Sequence, residues 1–374
     1  MTATVCHFST VHSGVEIRIA RKQLATLARA GFKAHLVIPA SENDVREARD
    51  LGITLHRLPQ ADESGSRLSR MTNQSRRAMA MALNTRADIY HFHDPELIPV
   101  GLVLKARGHR VVMDIHEDLA NTILVKNWIR PAVRAVVAAT ARRMEMFGAS
   151  RFDAVVSAFT EGGRIFRRRA RRLEVVHNFP LLSELAIDQA PVPWSERTSA
   201  AYVGTVSEIR GVAEIVQAAG LSGTRLGLAG KWVDQAQRER TRALPGWEFV
   251  DELGWVDRRG IRALLDRSFV GLCTLHPVPN HLNSEPIKLF EYMAAGIPVI
   301  YSTIPLWQEF IGDRQCGLCV DPTKPEEIAE AIRYLRDNPS IAEAMGRRGR
   351  EAVLERYNWD KEGEKLVNLY NSIL

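Results

Sequence analysis

The chain contains 374 residues, of which 45% are hydrophobic and 25% charged. This is ordinary globular composition, which excludes collagen-like, low-complexity and wholly disordered chains, and the length predicts two or three domains. No run of about 18 apolar residues occurs, and the N-terminal region lacks a basic segment followed by an apolar one, so we expect neither a membrane span nor a signal peptide. Four cysteines are too few for a disulfide framework and favour a reducing cytoplasm.

Charge is distributed unevenly along the chain. Residues 1–180 hold 28 Lys and Arg against 17 Asp and Glu, a net charge of +11, whereas residues 181–374 hold 22 against 27, a net charge of −5. A basic first half predicts an anionic partner. Six arginines fall between Arg164 and Arg172, without the aromatic interleaving of nucleic-acid-binding segments, so we expect no nucleic-acid partner. A solvated helix face and contact with an anionic membrane surface both remain open for this run.

The first half repeats one unit, in which a short β-rich run leads through a loop to an amphipathic helical stretch. The predicted strands are Ala3–Phe8, Ala34–Ile38, Thr54–Leu58, Ile89–Phe92, Val111–Ile115, Ala154–Ser157 and Glu174–Val176. Helical periodicity occurs between most of them, for example at Glu16–Ala30, Leu97–Ala106 and Pro131–Met146. Such alternation predicts a parallel sheet covered by helices on both faces.

A segment without clear periodicity, residues 181–199, contains Pro191 and Pro193 and is predicted to be a linker. The same alternation then restarts, with predicted strands at Ala200–Val203, Arg225–Ala229, Trp247–Val250, Phe269–Cys273, Val299–Tyr301 and Leu318–Val320. We therefore predict an α/β protein of two doubly wound domains, residues 1–180 and 200–357. Residues 358–374 are predicted to form a C-terminal helix that packs back on the first domain. Ligands of such domains bind at the carboxyl ends of the strands, in the cleft between the domains.

The densest candidate site lies at residues 283–300. Ser284 has the side chain of a helix N-cap, Pro286 suits a first helical turn, and Gly296 suits the position after a last turn. These signals predict a helix of about three turns. The N-terminus of such a helix offers free amides and a positive dipole end to a phosphate group.

Two charged residues lie on this predicted helix, three positions apart and on one face: Lys288 and Glu291. A cation followed one turn later by a carboxylate suits a ligand in which a diphosphate is followed by a ribose diol. The alternative is an ordinary surface ion pair. The other helix positions are apolar almost all round, which predicts burial and favours the functional interpretation.

Histidines and carboxylates follow two predicted strands of the first half. His91, His93 and Asp94 end the fourth strand, and His116 and Glu117 end the fifth. Such a set is compatible with a metal site, but no ligand spacing supports one, and we expect no metal. For His91 a structural role in the core is the favoured interpretation.

Several of these segments resemble one known family. The run Glu285-Pro-Ile-Lys-Leu-Phe-Glu-Tyr-Met-Ala-Ala-Gly-Ile-Pro-Val resembles the signature that binds the sugar donor in the retaining family 4 glycosyltransferases of GT-B fold. Tyr90–Leu97 and Met113–Asp118 resemble a bacterial subgroup that builds cell-surface polysaccharides, and Tyr202–Gly211 resembles the family's first strand, loop and helix of the C-terminal domain. The resemblance extends over nearly the whole chain and implies two Rossmann-like domains that face a central cleft.

The resemblance implies contacts with the sugar donor at Gly14, Gly204, Thr205, Arg210, Trp255, Val256, Asn283, Ser284, Glu285, Pro286, Ile287, Lys288 and Glu291. It assigns the diphosphate to Arg210 and Lys288 and the ribose to Glu291. Two positions depart from the family pattern. Asn283 stands where the family usually has a Glu that contacts the donor sugar, and Thr205 replaces a phosphate-binding arginine.

Three residues are implied as catalytic. His116 would contact the reacting sugar, and Asp94 or Glu117 would orient the acceptor hydroxyl. His93 and Arg18 are expected on the acceptor side, although Arg18 also fits a solvated helix face, and the loop around Gly14 also fits a plain turn. Trp255 would either stack on the nucleotide base or pack. The family needs no metal, and the nucleotide sugar is a co-substrate rather than a cofactor.

The sequence thus predicts an enzyme that transfers a sugar from a nucleoside diphosphate, UDP in preference to GDP, to an acceptor hydroxyl with retention. The expected acceptor is a saccharide or a lipid-linked saccharide of bacterial exopolysaccharide, capsule or lipopolysaccharide. We expect a cytoplasmic protein, peripheral on the inner face of the plasma membrane if the basic region binds lipid. Two alternatives remain: a catalytically silent scaffold of the same fold, and a sugar-nucleotide epimerase.

Overall fold

A computed structural model describes residues 2–59, 67–125, 129–185 and 192–374. The chain divides into two compact units, one formed by Met1–Asn178 together with Asp360–Leu374 and the other by Phe179–Trp359. Of the predicted linker at 181–199, residues 186–191 lie outside the described ranges. Among the residues that the structure describes, no helix is both long and apolar enough to cross a lipid bilayer.

The described strands of the first unit are β1 (Thr4–Phe8), β2 (Lys33–Pro39), β3 (Ile53–Leu58), β4 (Ile89–Phe92), β5 (Arg110–Ile115), β6 (Ala154–Ser157) and β7 (Leu173–Val175). They form one parallel sheet in the order β3-β2-β1-β4-β5-β6-β7. The order reverses between β1 and β4, which is where open parallel sheets bind ligands. β1, β4 and β5 are almost wholly buried, as expected of central strands covered on both faces.

The helices of the first unit cover both faces of this sheet. They are Ile17–Leu24 (π) continued by Ala25–Arg29, then Glu42–Asp50, Arg67–Asn84, Pro95–Leu97 (3-10), Ile98–Ala106, Leu119–Leu124, Pro131–Arg151, Thr160–Phe166 and Trp359–Ile373. The last of these helices belongs to the first unit except for its first residue, Trp359. Their apolar faces bury Phe8, Phe92 and Phe152 between helix and sheet.

The second unit has the same construction. Its described strands are β8 (Ser199–Val203), β9 (Leu226–Ala229), β10 (Val250–Gly254), β11 (Ser268–Cys273), β12 (Val299–Ser302) and β13 (Gly317–Val320). They form a parallel sheet in the order β10-β9-β8-β11-β12-β13. Its order reverses between β8 and β11. The prediction of two doubly wound Rossmann-like units is therefore confirmed.

The described helices of the second unit are Leu182–Leu185, Trp194–Glu196, Glu208–Arg210 and Trp247–Phe249 (all 3-10), Gln308–Gly312 (π), and the α-helices Val212–Ser222, Gln235–Arg242, Arg258–Asp266, Pro279–Leu282, Ile287–Ala294, Pro305–Trp307, Pro325–Asp337 and Pro339–Glu355. Helix Ile287–Ala294 packs its apolar residues into a core that also contains Trp307 and Tyr357. Its burial places the charged residues that it carries inside the protein.

Two local predictions were wrong. Trp247–Val250 was predicted as a strand, but 247–249 forms a 3-10 turn that Gly246 opens at φ +95, and the strand is Val250–Gly254. β10 is an edge strand and tolerates the charged residues Asp251 and Glu252. These residues interrupt the apolar run by which a strand is predicted from sequence. Helix 287–294 is also shorter than predicted.

The predicted capping of that helix was wrong as well. Pro286 occupies the N-cap position instead of the first turn, and the Ser284 hydroxyl donates to the carbonyl of His281 at 3.0 Å instead of capping. At the other end, Gly296 follows the C-cap residue with φ +71, which confirms the predicted stop.

Candidate functional site

The first unit gathers its polar residues where β1, β4 and β5 end. Asp114 of β5 is the centre of this group, and its side chain is fully buried. Arg18 binds both carboxylate oxygens, Nη2 to Oδ1 at 2.9 Å and Nε to Oδ2 at 3.2 Å, and Gln23 Nε2 donates to Oδ2 at 2.7 Å. Burial by itself would raise the pKa of Asp114, but Arg18 and the neighbouring histidines hold it well below its ordinary value. The carboxylate is therefore the fixed negative charge of the site.

Two histidines share this carboxylate. His93 Nδ1 and His116 Nε2 each lie 3.1 Å from Asp114 Oδ2 and 3.2 Å from one another. His93 is buried, and burial lowers its pKa to about 3. The side chain of His116 is 20% exposed.

A chain of buried rings continues from His93 into the unit. His7 Nδ1 lies 3.0 Å from His93 Nε2, and His7 Nε2 lies 2.8 Å from the hydroxyl of Tyr370 on the C-terminal helix. The same hydroxyl lies 2.6 Å from His91 Nδ1. Burial lowers the pKa of His7 and His91 far below the ordinary value, so both rings are neutral. We call Tyr370, His7, His91 and His93 the imidazole chain.

Two groups in this region bring metal-binding atoms together: His7, His91 and His93, and His93, Asp114 and His116. Apart from His91 Nε2 and His116 Nδ1, their nitrogen and oxygen atoms are already engaged with one another, with Tyr370 and with Arg18, whose guanidinium supplies the positive charge beside Asp114. The donor set is thus that of a hydrogen-bonded network, and a metal ion would have to displace these partners.

Asp94 orders the loop that follows β1. Its Oδ2 accepts hydrogen bonds from the amides of Thr10 at 2.6 Å and Val11 at 3.3 Å, and its Oδ1 lies 3.1 Å from His12 Nδ1. Gly14 stands further along this loop in a left-handed turn at φ +65, and its amide donates to the carbonyl of Pro39 at 2.8 Å.

A cavity of about 710 Å³ opens on these residues. It is lined by Val11, His12, Met71, His93, Asp94, Pro95, Glu96, Met113, Asp114, Ile115, His116, Glu117, Leu119, Met144 and Glu145. Of the predicted residues, Asp94, His93, His116 and the exposed Glu117 line it, whereas Arg18 lies behind Asp114 and does not.

One carboxyl group of this cavity has an incomplete set of partners. Glu145 is 1% exposed, and its Oε2 has no hydrogen bond within the described residues; the Arg142 Nη1 atom lies 3.6 Å away. Burial raises its pKa to about 7, against the opposing effect of Arg142.

In the second unit, the centre of the predicted site is Lys288 on helix Ile287–Ala294. The residue is 4% exposed, and its Nζ has no hydrogen-bond partner within the described residues. The ammonium group lies over the ring of Tyr202, 3.8 Å from its centroid. Gly204 has φ +120, and a Cβ there would lie 3.2 Å from Nζ. The absence of a side chain at Gly204 therefore leaves room beside the buried cation.

The remaining cation of the predicted site, Arg210, is half-buried at the end of a 3-10 turn. Its loop lies against the residues that follow β11: the amide of His276 donates to the carbonyl of Ile209 at 2.9 Å. The neighbouring Thr274 is buried, and its Oγ1 has no hydrogen-bond partner in the described part of the chain. Thr205, which stands where the family has an arginine, is exposed. Its backbone carbonyl accepts a hydrogen bond from the Tyr202 hydroxyl group.

Glu291 follows Lys288 by one turn but does not pair with it. Its Oε1 accepts a hydrogen bond of 2.7 Å from Arg258 Nη1, and the residue is 3% exposed. The described ion pair of Glu291 is therefore with Arg258.

The other predicted residues of this unit surround the same helix start. Asn283, Ser284, Glu285, Pro286 and Ile287 are all half-buried in the segment that leads into the helix. Trp255 is 69% exposed, with Lys231 Nζ 5.7 Å from its ring, and Val256 packs against the core. An exposed indole ring is available for stacking.

Comparison with known proteins decides the family. The family described as glycosyl transferases group 1 matches residues 187–352, and the glycosyl transferase 4-like domain matches residues 13–180. The chain belongs to the glycosyltransferases. It is an enzyme of the hexosyltransferase type and GT-B fold.

Relatives and solved structures agree with this assignment. Glycogen synthase of Mycobacterium tuberculosis is 25% identical over 304 residues, 76% of this chain and 69% of that protein. D-rhamnosyltransferase WbpZ of Pseudomonas aeruginosa is 35% identical over 116 residues, 30% of this chain and 29% of its own. Sucrose-phosphate synthase from Thermosynechococcus elongatus has the same fold, with a TM-score of 0.74 at 18% identity over 99% of both chains. Anabaena HepE in complex with UDP and glucose also superimposes with a TM-score of 0.74, at 14% identity over 99% of this chain and 100% of its own.

Sequence reasoning missed several residues of this glycosyltransferase that the structure brings to the two sites. Asp114 and His7 each interrupt an apolar strand, and that interruption was a readable signal. Tyr370 carried no local signal, because its partners His7 and His91 lie at least 279 positions away in the sequence. Arg258 carried none either, because its partner Glu291 lies 33 positions away.

Proposed function

We propose that this glycosyltransferase transfers a hexosyl group with retention from a nucleoside diphosphate sugar, a UDP-sugar in preference to a GDP-sugar, to a hydroxyl group of a saccharide or lipid-linked saccharide. The observation that carries the proposal is the buried ammonium group of Lys288. A buried cation without a carboxylate or a hydrogen-bond acceptor destabilises a protein. Binding of an anion would compensate this charge.

The surroundings of Lys288 suit a diphosphate. The amide of Leu289 donates to the carbonyl of Pro286 at 3.1 Å, whereas the amides of Ile287 and Lys288 precede this bond and lie at the positive end of helix Ile287–Ala294. Arg210 adds a second cation with planar geometry. These groups would stabilise the negative charge that develops on the leaving diphosphate, and the proposed reaction therefore needs no metal ion.

The carboxylate of Glu291 would bind the ribose. Its hydrogen bond with Arg258 holds it in position, and a carboxylate accepts two hydroxyl hydrogens at once. Trp255 offers a face for the base. The names of other proteins support the choice of nucleotide: HepE structures contain UDP or UDP-glucose, and a relative in Mycobacterium tuberculosis, 34% identical over 82 residues, is named GDP-mannose-dependent.

In the first unit, His116 would contact the donor sugar and Glu117 the acceptor hydroxyl, with Asp94 ordering the loop beside them. The carboxylates of Asp94 and Asp114 are both occupied by hydrogen bonds. We therefore assign neither of these two carboxylates as a nucleophile, and we propose substitution on the same face of the sugar, with retention of configuration.

Thermal unfolding in the presence of UDP, GDP, dTDP, ADP and CMP, without added metal, tests the proposed sugar-donor site. A ligand at 100 times its Kd stabilises the folded state by about 2.7 kcal/mol. We expect UDP to raise the midpoint of the wild type and to have little effect on Glu291→Ala. The control is Asp266→Ala, which breaks the ion pair of Asp266 with Arg262 at the opposite end of the same helix as Arg258.

The outcomes separate the alternatives. Asp266→Ala must keep the response to UDP, and a wild type that responds to none of the nucleotides contradicts the proposal. Incubation of a nucleotide sugar without acceptor distinguishes an epimerase, which converts the sugar while the nucleotide stays attached, from a transferase.

We also propose that the enzyme acts on the cytoplasmic face of the bacterial plasma membrane, in cell-surface polysaccharide assembly. Helix Pro131–Arg151 exposes Val133, Val136 and Phe147 at 46%, 68% and 50% beside arginines of the same helix. The arginines from Arg164 to Arg172 are also exposed. Apolar side chains next to basic ones bind anionic bilayer surfaces.

Flotation with vesicles tests membrane binding. We expect the wild type to float with phosphatidylglycerol vesicles and not with phosphatidylcholine vesicles, and the double variant Val136→Asp/Phe147→Asp to lose flotation. Leu221→Asp is the matched control, since Leu221 is an apolar residue of the second unit with 54% exposure. Equal flotation of the control and the double variant would refute the assignment of this helix.

A further inference from the structure

We propose that Asp114 is a positioning residue: its carboxylate sets the tautomers of the imidazole chain, which the hydroxyl group of Tyr370 extends to His91, and it leaves the lone pair of His116 on Nδ1. The consequence for catalysis rests on the proposed contact of His116 with the donor sugar. The consequence for the tautomers does not, since it follows from the hydrogen bonds alone.

The direction of the hydrogen bonds starts at Asp114. A carboxylate only accepts, so the Nδ1–H group of His93 donates to Oδ2 over 3.1 Å. A neutral imidazole has one N–H and one lone pair. His93 Nε2 must therefore accept, and the donor is the Nδ1–H group of His7, 3.0 Å away.

The rule that a neutral imidazole has one N–H group and one lone pair also sets the direction of the hydrogen bonds at Tyr370. His7 Nε2 has the lone pair, so the Tyr370 hydroxyl donates to it over 2.8 Å. Burial raises the pKa of Tyr370 well above its ordinary value, which keeps this proton on the oxygen. The Tyr370 oxygen then accepts from the Nδ1–H group of His91 over 2.6 Å.

The end of the chain agrees with this direction. His91 Nε2 is left with a lone pair, and it has no hydrogen-bond partner within the described residues, with Asp114 Oδ2 4.0 Å away. In the reverse direction His91 Nε2 would carry a buried, unsatisfied proton, and His93 would no longer donate to Asp114. Burying an unsatisfied N–H group is unfavourable, so the first direction is preferred.

The hydrogen bond and the protonated nitrogen of His116 follow from this arrangement. With His93 donating to Asp114, His116 Nε2–H also donates to Asp114 Oδ2 over 3.1 Å. The other nitrogen of His116, Nδ1, then carries the lone pair and has no hydrogen bond to another described residue. His116 lines the cavity, so an acceptor atom is presented to a substrate hydroxyl.

In Tyr370→Phe, the link between His7 and His91 is lost, and neither nitrogen of His91 has a hydrogen-bond partner within the described residues. The proton of His91 can then lie on either nitrogen. The Asp114 carboxylate still accepts from the Nδ1–H group of His93, so His93, His7 and His116 keep their tautomers.

Nitrogen NMR of the protein labelled with [15N]histidine measures the tautomers directly, with His7→Gln, His91→Gln, His93→Gln and His116→Gln for assignment. In the wild type at pH 7 we expect a single Nδ1–H tautomer for the three buried histidines and an Nε2–H tautomer for His116. In Tyr370→Phe we expect mixed tautomers for His91 and unchanged tautomers for His7, His93 and His116. Tyr301→Phe is the matched control, because its buried hydroxyl donates to Gln308 in the second unit, and it leaves these signals unchanged.

Two results would overturn the proposal: an Nε2–H tautomer for any of the three buried histidines in the wild type, or a changed tautomer of His93 or His116 in Tyr370→Phe. The first applies even if that variant does not fold. If no nucleotide binds the wild type, the proposed function fails while the tautomer result stands by itself.

Discussion

The polar groups at the two sheets differ in how completely they are satisfied. In the first unit, Asp114 has Arg18 as counter-ion and further donors from Gln23 and two histidines. In the second unit, the ammonium group of Lys288 lies over the face of Tyr202, and neither it nor the hydroxyl of Thr274 has a hydrogen-bond partner within the described residues.

This difference indicates a division of work. The first site is organised by its own residues, so its side chains are held before a substrate arrives, which lowers the reorganisation needed in a reaction. The second site has a buried charge that a bound anion would complete, so its affinity is gained at the expense of stability in the free protein. The predictions below test this contrast, from the largest effect to the smallest.

The largest effect is expected from Asp114→Asn, which breaks the satisfied site. The change leaves the buried guanidinium of Arg18 without a counter-ion, and such losses are about 3–5 kcal/mol. Urea titration should show this decrease in the free energy of unfolding. The double variant Arg18→Gln/Asp114→Asn should lose less than the sum of the single changes, and a loss below about 1 kcal/mol for Asp114→Asn would remove the contrast.

Glu145 is the exception within the first unit and gives the second effect. Burial raises its pKa to about 7 from an ordinary value of 4.5. Between these two pH values the folded protein holds a proton on Glu145 that the unfolded chain has lost, so the contribution of this group to stability falls as pH rises, by up to about 3 kcal/mol once pH exceeds 7. Glu145→Gln should abolish this slope and be the more stable protein at pH 8.

Melting curves between pH 4.5 and 8 measure that slope. Glu161→Gln, which changes a partly exposed carboxyl paired with Arg164, serves as the control and should keep the wild-type slope. Parallel slopes for the wild type and Glu145→Gln would mean that this carboxyl ionises normally.

Lys288→Met should give the opposite response to Asp114→Asn. Replacing a buried, uncompensated cation with an apolar side chain should leave the free energy of unfolding unchanged or higher. The affinity for the stabilising nucleotide should fall about 30-fold, which is about 2 kcal/mol for a charge-assisted hydrogen bond. Calorimetric titration and urea unfolding of the same sample measure both, and a variant that loses stability while it keeps its affinity would contradict the contrast.

Gly204→Ala should have the smallest effect. Its Cβ would lie 3.2 Å from Lys288 Nζ and would occupy a strained backbone conformation at φ +120. We expect a loss of about 1–2 kcal/mol in stability and a weaker response to nucleotide in the thermal assay. Gly223→Ala, also at positive φ but with no atom within 4 Å of its Cβ, should lose stability without losing the response.

The fold was predictable because each central strand is a short apolar run between turn residues. Ile89–Phe92 and Ala154–Ser157 have the predicted bounds. Strand β10 was not predictable in this way, because an edge strand needs no continuous apolar run. The residues of the site are predictable only where partners are close in sequence, as in the segment that contains Lys288 and Glu291.

The remaining features depend on distant pairings. No local pattern indicates that Glu291 pairs with Arg258 instead of Lys288. The sequence likewise cannot show that the alternating histidines of β1 and β4 meet a tyrosine from a helix near residue 370. Such contacts are determined by the order of the strands and by which helix covers them.

The position of Tyr370 in the sequence has a consequence for how the first unit is made. The hydrogen bond between His7 and Tyr370 joins residues 363 positions apart. During synthesis, the sheet from β1 to β7 can assemble early, and the second unit can fold as a whole while the first still lacks the helix Trp359–Ile373. Closing such a long loop is slow. Until it closes, the imidazole groups of His7 and His91 lack their partner, so we expect completion of the first unit to be the last step in the folding of the chain.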